Sequence, residues 1–269
     1  MMKSLFDSIQ KLIGSGSRSL IFKYLARYGY AFYRIYENHN YEFDTNGEKQ
    51  VINKLKNIGL NTVFDVGANI GDWSLMICKH FNNAHIYAFE IVPATYNIAQ
   101  KNSLNYHNIH LYNFGLSNYL NTLQINVSAS DHHINSLHNI HKLEFNDTVQ
   151  VHLDTGDNFC AKHNIDNIDF LKIDTEGHDY FVLEGFKKLI EQKKIRIIQF
   201  EYGRVNIQTK TLLYDHYLYL RKCGYVLGKI YPGHVFFKEY DFQDENFLGP
   251  NYLAVLEDDS EVIKILSNN

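Results

Sequence analysis

From residue 62 onward, short apolar runs alternate with longer stretches of mixed polarity at helical spacing. TVFDV (62–66), HIYAFE (85–90), IHLYNF (109–114), IDFLKID (168–174) and IRIIQFE (195–201) predict strands. Helices are expected over residues 71–80, 93–105, 179–193 and 209–222, the second opened by Pro93 in its first turn. LQINVS (123–128) and TVQVHL (148–153) read as further strands, and the polar, His-rich stretch between them has no period and reads as a loop. The chain closes on GYVLGKI, HVFFKEY and NYLAVLE, strands with no helix between them. Strand–helix alternation predicts an α/β fold, a mostly parallel sheet with helices on both faces. The strand-only ending predicts an antiparallel addition at one edge.

The 269 residues fit one large domain, or one domain with an appendage. Residues 1–50 read as a helical extension or cap and 51–260 as the main domain, with no internal repeat or Pro/Ser-rich linker. A formal net charge of −4 carries no nucleic-acid footprint. Twenty Tyr and eighteen Phe suit core packing first and a ring-binding cleft second. Cys78, Cys160 and Cys223 are far apart and odd in number, which argues against disulfides and structural zinc and for a reducing, cytoplasmic setting. The first 22 residues do not read as a signal peptide, because Asp7, Gln10 and Lys11 interrupt the apolar run. No stretch has the uncharged length of a membrane span. Residues 1–40 are biased to Lys and Arg and read as amphipathic helices broken at GSGS; a domain cap, a homodimer contact or a peripheral membrane contact would each account for them.

Chemistry first surfaces in VFDVGANIGDWS (63–74), a glycine turn between the first strand and its helix. In a doubly wound sheet that turn lies where ligands bind. Glu90 ends the second strand 25 residues after Asp65, where an acid accepts hydrogen bonds from a ribose diol. Two adenosine cofactors compete for such a site. NAD calls for GxGxxG facing a diphosphate, but Gly67-Ala68-Asn69-Ile70-Gly71 has GxNxG spacing and follows an acid that would repel phosphate. The acid suits the positive charge of S-adenosylmethionine.

The segments FDVGANIGDWS, AFEIVPATY, LDTGDNF, LKIDTEGHDYFVLEG and IIQFEY, in that order from about Asn61 to Glu257, resemble the FkbM family of S-adenosylmethionine-dependent methyltransferases. The resemblance implies the seven-stranded class I methyltransferase (Rossmann-like) sheet and transfer of methyl groups to oxygen, on sugars or polyketide-derived compounds. It implies that Asp65, Gly67, Asn69 and Gly71 bound the methionine end of the cofactor with Ser74 beside them. Glu90 would bind the ribose, and Ile91, Leu116 and Ser117 would flank the adenine.

Methyl transfer to oxygen needs a base or a metal to activate a hydroxyl. LKIDTEGHD places Asp174, Glu176 and His178 just beyond a strand end, with Glu201 ending the next strand. Base catalysis by these residues and a magnesium or manganese ion on Asp174 and Glu201 both remain open, as do capping roles for the acids. Asp131, His132 and His133 are candidates for a lid, His234 for a more remote contact, and Asp157 for a helix cap before a site residue. The expected activity is O-methylation of a sugar or nucleotide-sugar in surface-polysaccharide assembly. The rivals are an NAD-dependent oxidoreductase and a non-catalytic cofactor-binding protein.

Overall fold

The computed structural model describes residues 2–127 and 147–268. Its main sheet is built from β1 (Thr62–Val66), β2 (His85–Phe89), β3 (Ile109–Tyr112), β7 (Ile168–Ile173), β8 (Ile195–Glu201), β9 (Tyr225–Ile230), β10 (Val235–Phe237) and β11 (Asn251–Leu256). Their spatial order is β10-β9-β11-β8-β7-β1-β2-β3. The β8-β7-β1-β2-β3 portion is parallel throughout. The last strand, β11, inserts antiparallel between β8 and β9 rather than adding outside them, and β10 forms the edge, antiparallel to β9. The described sheet thus has eight strands where the resemblance implies seven, and the short β10 falls in the HVFFKEY run expected to be a strand.

The central strands are apolar on both sides because both faces are covered. On one face Val63, Phe170, Ile197 and Leu253 pack against α3 (Glu48–Leu55), α4 (Asp72–His80) and α11 (Ser260–Ser267). On the other, Phe64, Leu171 and Ile198 pack against α6 (Gly156–His163), α7 (Asp179–Gly185), α8 (Lys187–Glu191) and α10 (Leu213–Lys222). The helix α5 (Pro93–Asn102) follows β2.

Three local differences from the sequence expectation have physical causes. The helix expected over 179–193 is two helices, broken at Phe186, whose φ of −101° and ψ of 19° leave the helical range; Gly185 just before it packs so closely on the Ser117 carbonyl that an added Cβ would lie 2.0 Å from it. The helix expected over 209–222 breaks at Lys210, which is left-handed at φ 58°, leaving α9 (Asn206–Thr209) and α10. The runs near 125 and 150 do not join the main sheet. They form β5 (Asn121–Val127) and β6 (Asp147–Asp154), which with β4 (Gly115–Leu116) make a separate three-stranded sheet. The helix α11, unexpected from the sequence, buries Val262 and Leu266.

At the N-terminus α1 (Met2–Ile13) and α2 (Leu20–Tyr36) precede the domain, and α2 has no buried residue. The segment after α2 is tied down: Asn38 Nδ2 donates to the carbonyls of Asn46 (2.7 Å) and Ile230 (2.9 Å).

Candidate active site

At the carboxyl ends of β1, β2, β7 and β8 lies a cavity of about 450 Å³. Its walls are Val66, Gly67, Asn69, Phe89, Glu90, Ile91, Gly115, Leu116, Asp174 through Glu176, His178 and Glu201, closed by Tyr41, Asn46, Glu48, Pro250 and Asn251.

The turn after β1 is shaped by backbone conformation. Gly67 (φ 86°) and Gly71 (φ 91°) are left-handed, as is Asn69 (φ 48°). An added Cβ at Gly67 would sit 1.9 Å from the Asp174 carbonyl oxygen, so only glycine lets the ends of β1 and β7 meet there. The amides of Gly67 and Ala68 both donate to the Phe89 carbonyl (3.0 and 2.9 Å), which brings the turn against the end of β2. Glu90 then faces the turn: one carboxylate oxygen accepts from the Asn69 amide (2.9 Å), the other from the Val92 amide (2.8 Å). Burial pushes its carboxyl up to about 7 in spite of these donors. With Phe89, Ile91 and Leu116 beside it, this end offers a rigid acceptor pair next to an apolar slot. That donor and acceptor set fits a ribose diol and an attached base.

Asp65 lies apart from the cavity lining. It is fully buried and accepts from Ser74 Oγ at 2.7 Å, while its other oxygen is 3.7 Å from Lys172 Nζ. Register explains the meeting, since Asp65 and Lys172 are paired positions of β1 and β7. Lys172 Nζ also bonds Asp174 Oδ2 at 2.9 Å and lies 5.7 Å over the Trp73 ring. Burial alone would lower this lysine, but Asp174, Asp65 and Glu48 outweigh it and hold it charged. Gly71 starts α4, and Ser117 is fully buried with Oγ 2.9 Å from His178 Nε2, so Asp65, Gly71, Ser74 and Ser117 are all outside the lining. Gly67, Asn69, Glu90, Ile91, Leu116, Asp174, Glu176, His178 and Glu201 are in it.

The far end of the cavity is acidic. Glu176, left-handed at φ 53°, is pushed up to about 8 by burial and by Asp174 and Asp179. Asp179 is fully buried, accepts from Thr175 Oγ1 (3.0 Å) and the Glu201 amide (3.0 Å), and is pushed up to about 7 by burial and Asp174. Glu201 is raised well above the usual carboxyl range by burial, Asp174 and Glu176, and its Oε2 has no hydrogen-bond partner. His178 is buried and stacks on Phe181 with centroids 4.8 Å apart. Among the described residues no group of three or more His, Cys, Asp or Glu side chains is arranged to hold a metal ion. The expectation of magnesium or manganese on Asp174 and Glu201 finds no support here: Asp174 Oδ2 is bonded to Lys172, and burial raises Glu201 together with its neighbours Glu176 and Asp179. The donor set does not fit a divalent ion.

The remaining wall was not visible in the sequence. Glu48, in the first turn of α3, accepts from Asn46 Nδ2 (2.7 Å) and Asn251 Nδ2 (2.9 Å) on one oxygen and from Gln199 Nε2 (2.6 Å) on the other. In sequence it reads as an ordinary acid at a helix start. Tyr41 and Asn46 come from the segment expected to be extension or cap. Of the other candidates, His234 stacks on Tyr231 away from the cavity, and Asp131, His132 and His133 lie outside the described residues. Asp157 does act as a cap, but for α8, whose Lys188 and Leu189 amides it accepts from at 2.8 and 3.2 Å.

Residues 65–227 match the family model described as the methyltransferase FkbM domain. A search of curated proteins finds no match. Among solved structures, an FkbM methyltransferase from Methylobacillus flagellatus is similar at 16% identity and TM-score 0.46, over 73% of this chain and 43% of that one. The present chain therefore spans less than half of that protein. A precorrin-6y C5,15-methyltransferase from Geobacter metallireducens aligns at 12% identity and TM-score 0.39 over 77% and 85% of the two chains. Fibrillarin from Aeropyrum pernix, solved with S-adenosyl-L-methionine bound, aligns at 11% identity and TM-score 0.37 over 73% and 66%.

Proposed function

The chain belongs to the FkbM family of methyltransferases, and from that premise we propose that this S-adenosylmethionine-dependent enzyme methylates a hydroxyl of a sugar or nucleotide-sugar during surface-polysaccharide assembly. The observation that carries the reading is one cavity with Glu90 held as a rigid acceptor at one end and Glu176 among carboxyls at the other. The polysaccharide setting rests on family analogy.

Gly67, Asn69, Glu90, Ile91 and Leu116 would hold the cofactor: the glycine by close approach, Glu90 at the ribose, the apolar pair at the base. Bound there, S-adenosylmethionine supplies an electrophilic methyl group on a sulfonium. The chain's own task is to position the hydroxyl and take its proton. Glu176 lines the cavity and is pushed up to about 8, which matches it to receive a hydroxyl proton near neutral pH. Asp174, ion-paired to Lys172 at 2.9 Å, supplies fixed negative charge beside it. His178 lines the same cavity, with its Nε2 held 2.9 Å from the buried Ser117 Oγ. The described lining carries five carboxyl residues and no Lys or Arg. An uncharged sugar ring is favoured inside, and the diphosphate of a nucleotide-sugar would remain outside.

The test is calorimetric titration with S-adenosylhomocysteine, followed by transfer of labelled methyl from S-adenosylmethionine to a panel of sugars and nucleotide-sugars. Cofactor binding with label on a hydroxyl is expected. Label on nitrogen or carbon would overturn O-methylation. Binding of NADH in place of S-adenosylhomocysteine would overturn the cofactor assignment.

A further inference from the structure

The N-terminal helices present an apolar face that the domain does not use. Along α2, Ile21, Leu25, Tyr28, Phe32 and Ile35 recur at intervals of three and four residues and form one stripe. All five are exposed, Ile35 at 76%. Lys23, Arg27 and Arg34 form a separate stripe, and α2 contains no Asp or Glu. The helix meets the domain through other positions: Arg204 donates to Tyr30 OH (3.1 Å), Asn246 to Tyr33 OH (3.3 Å), and Lys229 pairs with Glu37 just past its end (3.0 Å). At 3.6 residues per turn, Tyr30 and Tyr33 lie on the far side of the helix from the apolar stripe, so that stripe points away from the domain. The sequence of α1, with apolar residues at 2, 5, 6, 9, 12 and 13, repeats the pattern, and Leu5 and Ile9 are exposed.

Charge decides between occupants. Residues 1–36 carry six Lys or Arg against one Asp, in a chain whose formal net charge is −4. Lys23, Arg27 and Arg34 lie on the polar side of α2, opposite the apolar stripe, and a second copy packed on that stripe would bring no acid from α2 to pair them. An anionic lipid surface complements them, accepts the apolar stripe below the headgroups, and suits the five tyrosines of α2 at the boundary. No helix among the described residues is long and apolar enough to cross a membrane. We propose that α1 and α2 form an interfacial anchor lying flat on anionic lipid. The chain runs from the end of α2 directly into Tyr41, Asn46 and Glu48 of the cavity wall. The anchor therefore holds the acidic, acceptor end of the site close to the lipid surface. This inference does not depend on the sugar assignment.

The experiment is flotation of the purified full chain with vesicles of phosphatidylcholine alone or mixed with phosphatidylglycerol, at low and high salt. The wild type is expected to float with the mixed vesicles and to be released by salt. Lys23→Gln/Arg27→Gln/Arg34→Gln should bind on the order of a hundredfold more weakly, since each cation near an anionic surface is worth about fivefold. Leu25→Glu/Phe32→Glu should not float. Both variants should keep S-adenosylhomocysteine binding, which reports that the domain is folded. Failure of the wild type to float, or equal flotation with neutral vesicles, overturns the proposal. So does a wild-type dimer that Leu25→Glu/Phe32→Glu converts to monomer, which would assign the face to a second copy.

Discussion

Replacing Glu90 by Gln tests the cofactor end of the site most directly. Each carboxylate oxygen already accepts from a backbone amide, Asn69 at 2.9 Å and Val92 at 2.8 Å. A glutamine amide must turn its NH2 toward one of them, so one backbone donor faces another donor in either orientation. The substitution also removes the charge that strengthens hydrogen bonds from a ribose diol. Hydrogen bonds to a charged group contribute about 1.5–3 kcal/mol each. Losing one outright and weakening the other costs about 3 kcal/mol, roughly two orders of magnitude in Kd. Calorimetry with S-adenosylhomocysteine measures this.

A pH series separates loss of charge from general damage. Burial pushes Glu90 up to about 7, and the ligand needs the ionised form. Wild-type affinity should therefore rise roughly tenfold between pH 6 and 8 from this group, by linkage. In Glu90→Gln that component disappears. Affinity within threefold of wild type, with the pH dependence intact, would refute the assignment of Glu90 to the ribose.

Lys172→Met leaves Asp65 and Asp174 without their buried cation and should cost about 3–5 kcal/mol, read as a drop in Tm on the order of 10 °C; Asp65→Asn in the same background should recover part of it. Glu90, Asp179 and Glu176 hold their protons more tightly folded than unfolded, so the cofactor-free protein should lose stability as pH rises from the ordinary carboxylate range through about 8, seen as a falling Tm from pH 5 to 8. Methyl transfer should instead rise with pH toward about 8, and Glu176→Gln should lower kcat and flatten that profile while sparing S-adenosylhomocysteine binding. Gly67→Ala forces a Cβ to 1.9 Å from the Asp174 carbonyl oxygen and should abolish cofactor binding, with a lowered Tm, whereas Gly71→Ala, whose Cβ would meet only Ala99 at 3.7 Å, should show the milder strain of its φ of 91°.

What could be read from the sequence is what neighbours in sequence determine. β1 occupies Thr62–Val66 as expected because five residues of one apolar run suffice to define it, and Glu90 falls at the end of the next strand by the same local logic. Asp174, Glu176 and His178 follow from the strand-to-helix turn that carries them. Residues whose meaning depends on a distant partner were not legible. Glu48 is joined to Gln199 and Asn251, 151 and 203 residues away, and no periodicity near residue 48 encodes that meeting. Asp65 looked like a ligand contact because it precedes the glycine turn. Its strand pairing with Lys172 and its bond to Ser74 instead make it the buried counter-charge that holds Lys172 beneath Asp174. The two acids therefore divide the work through one lysine: Asp65 fixes it from within the sheet, and Asp174 presents the resulting pair at the cavity. A sequence reading that treats both as independent site residues misses the cation that makes their charges compatible at such close range.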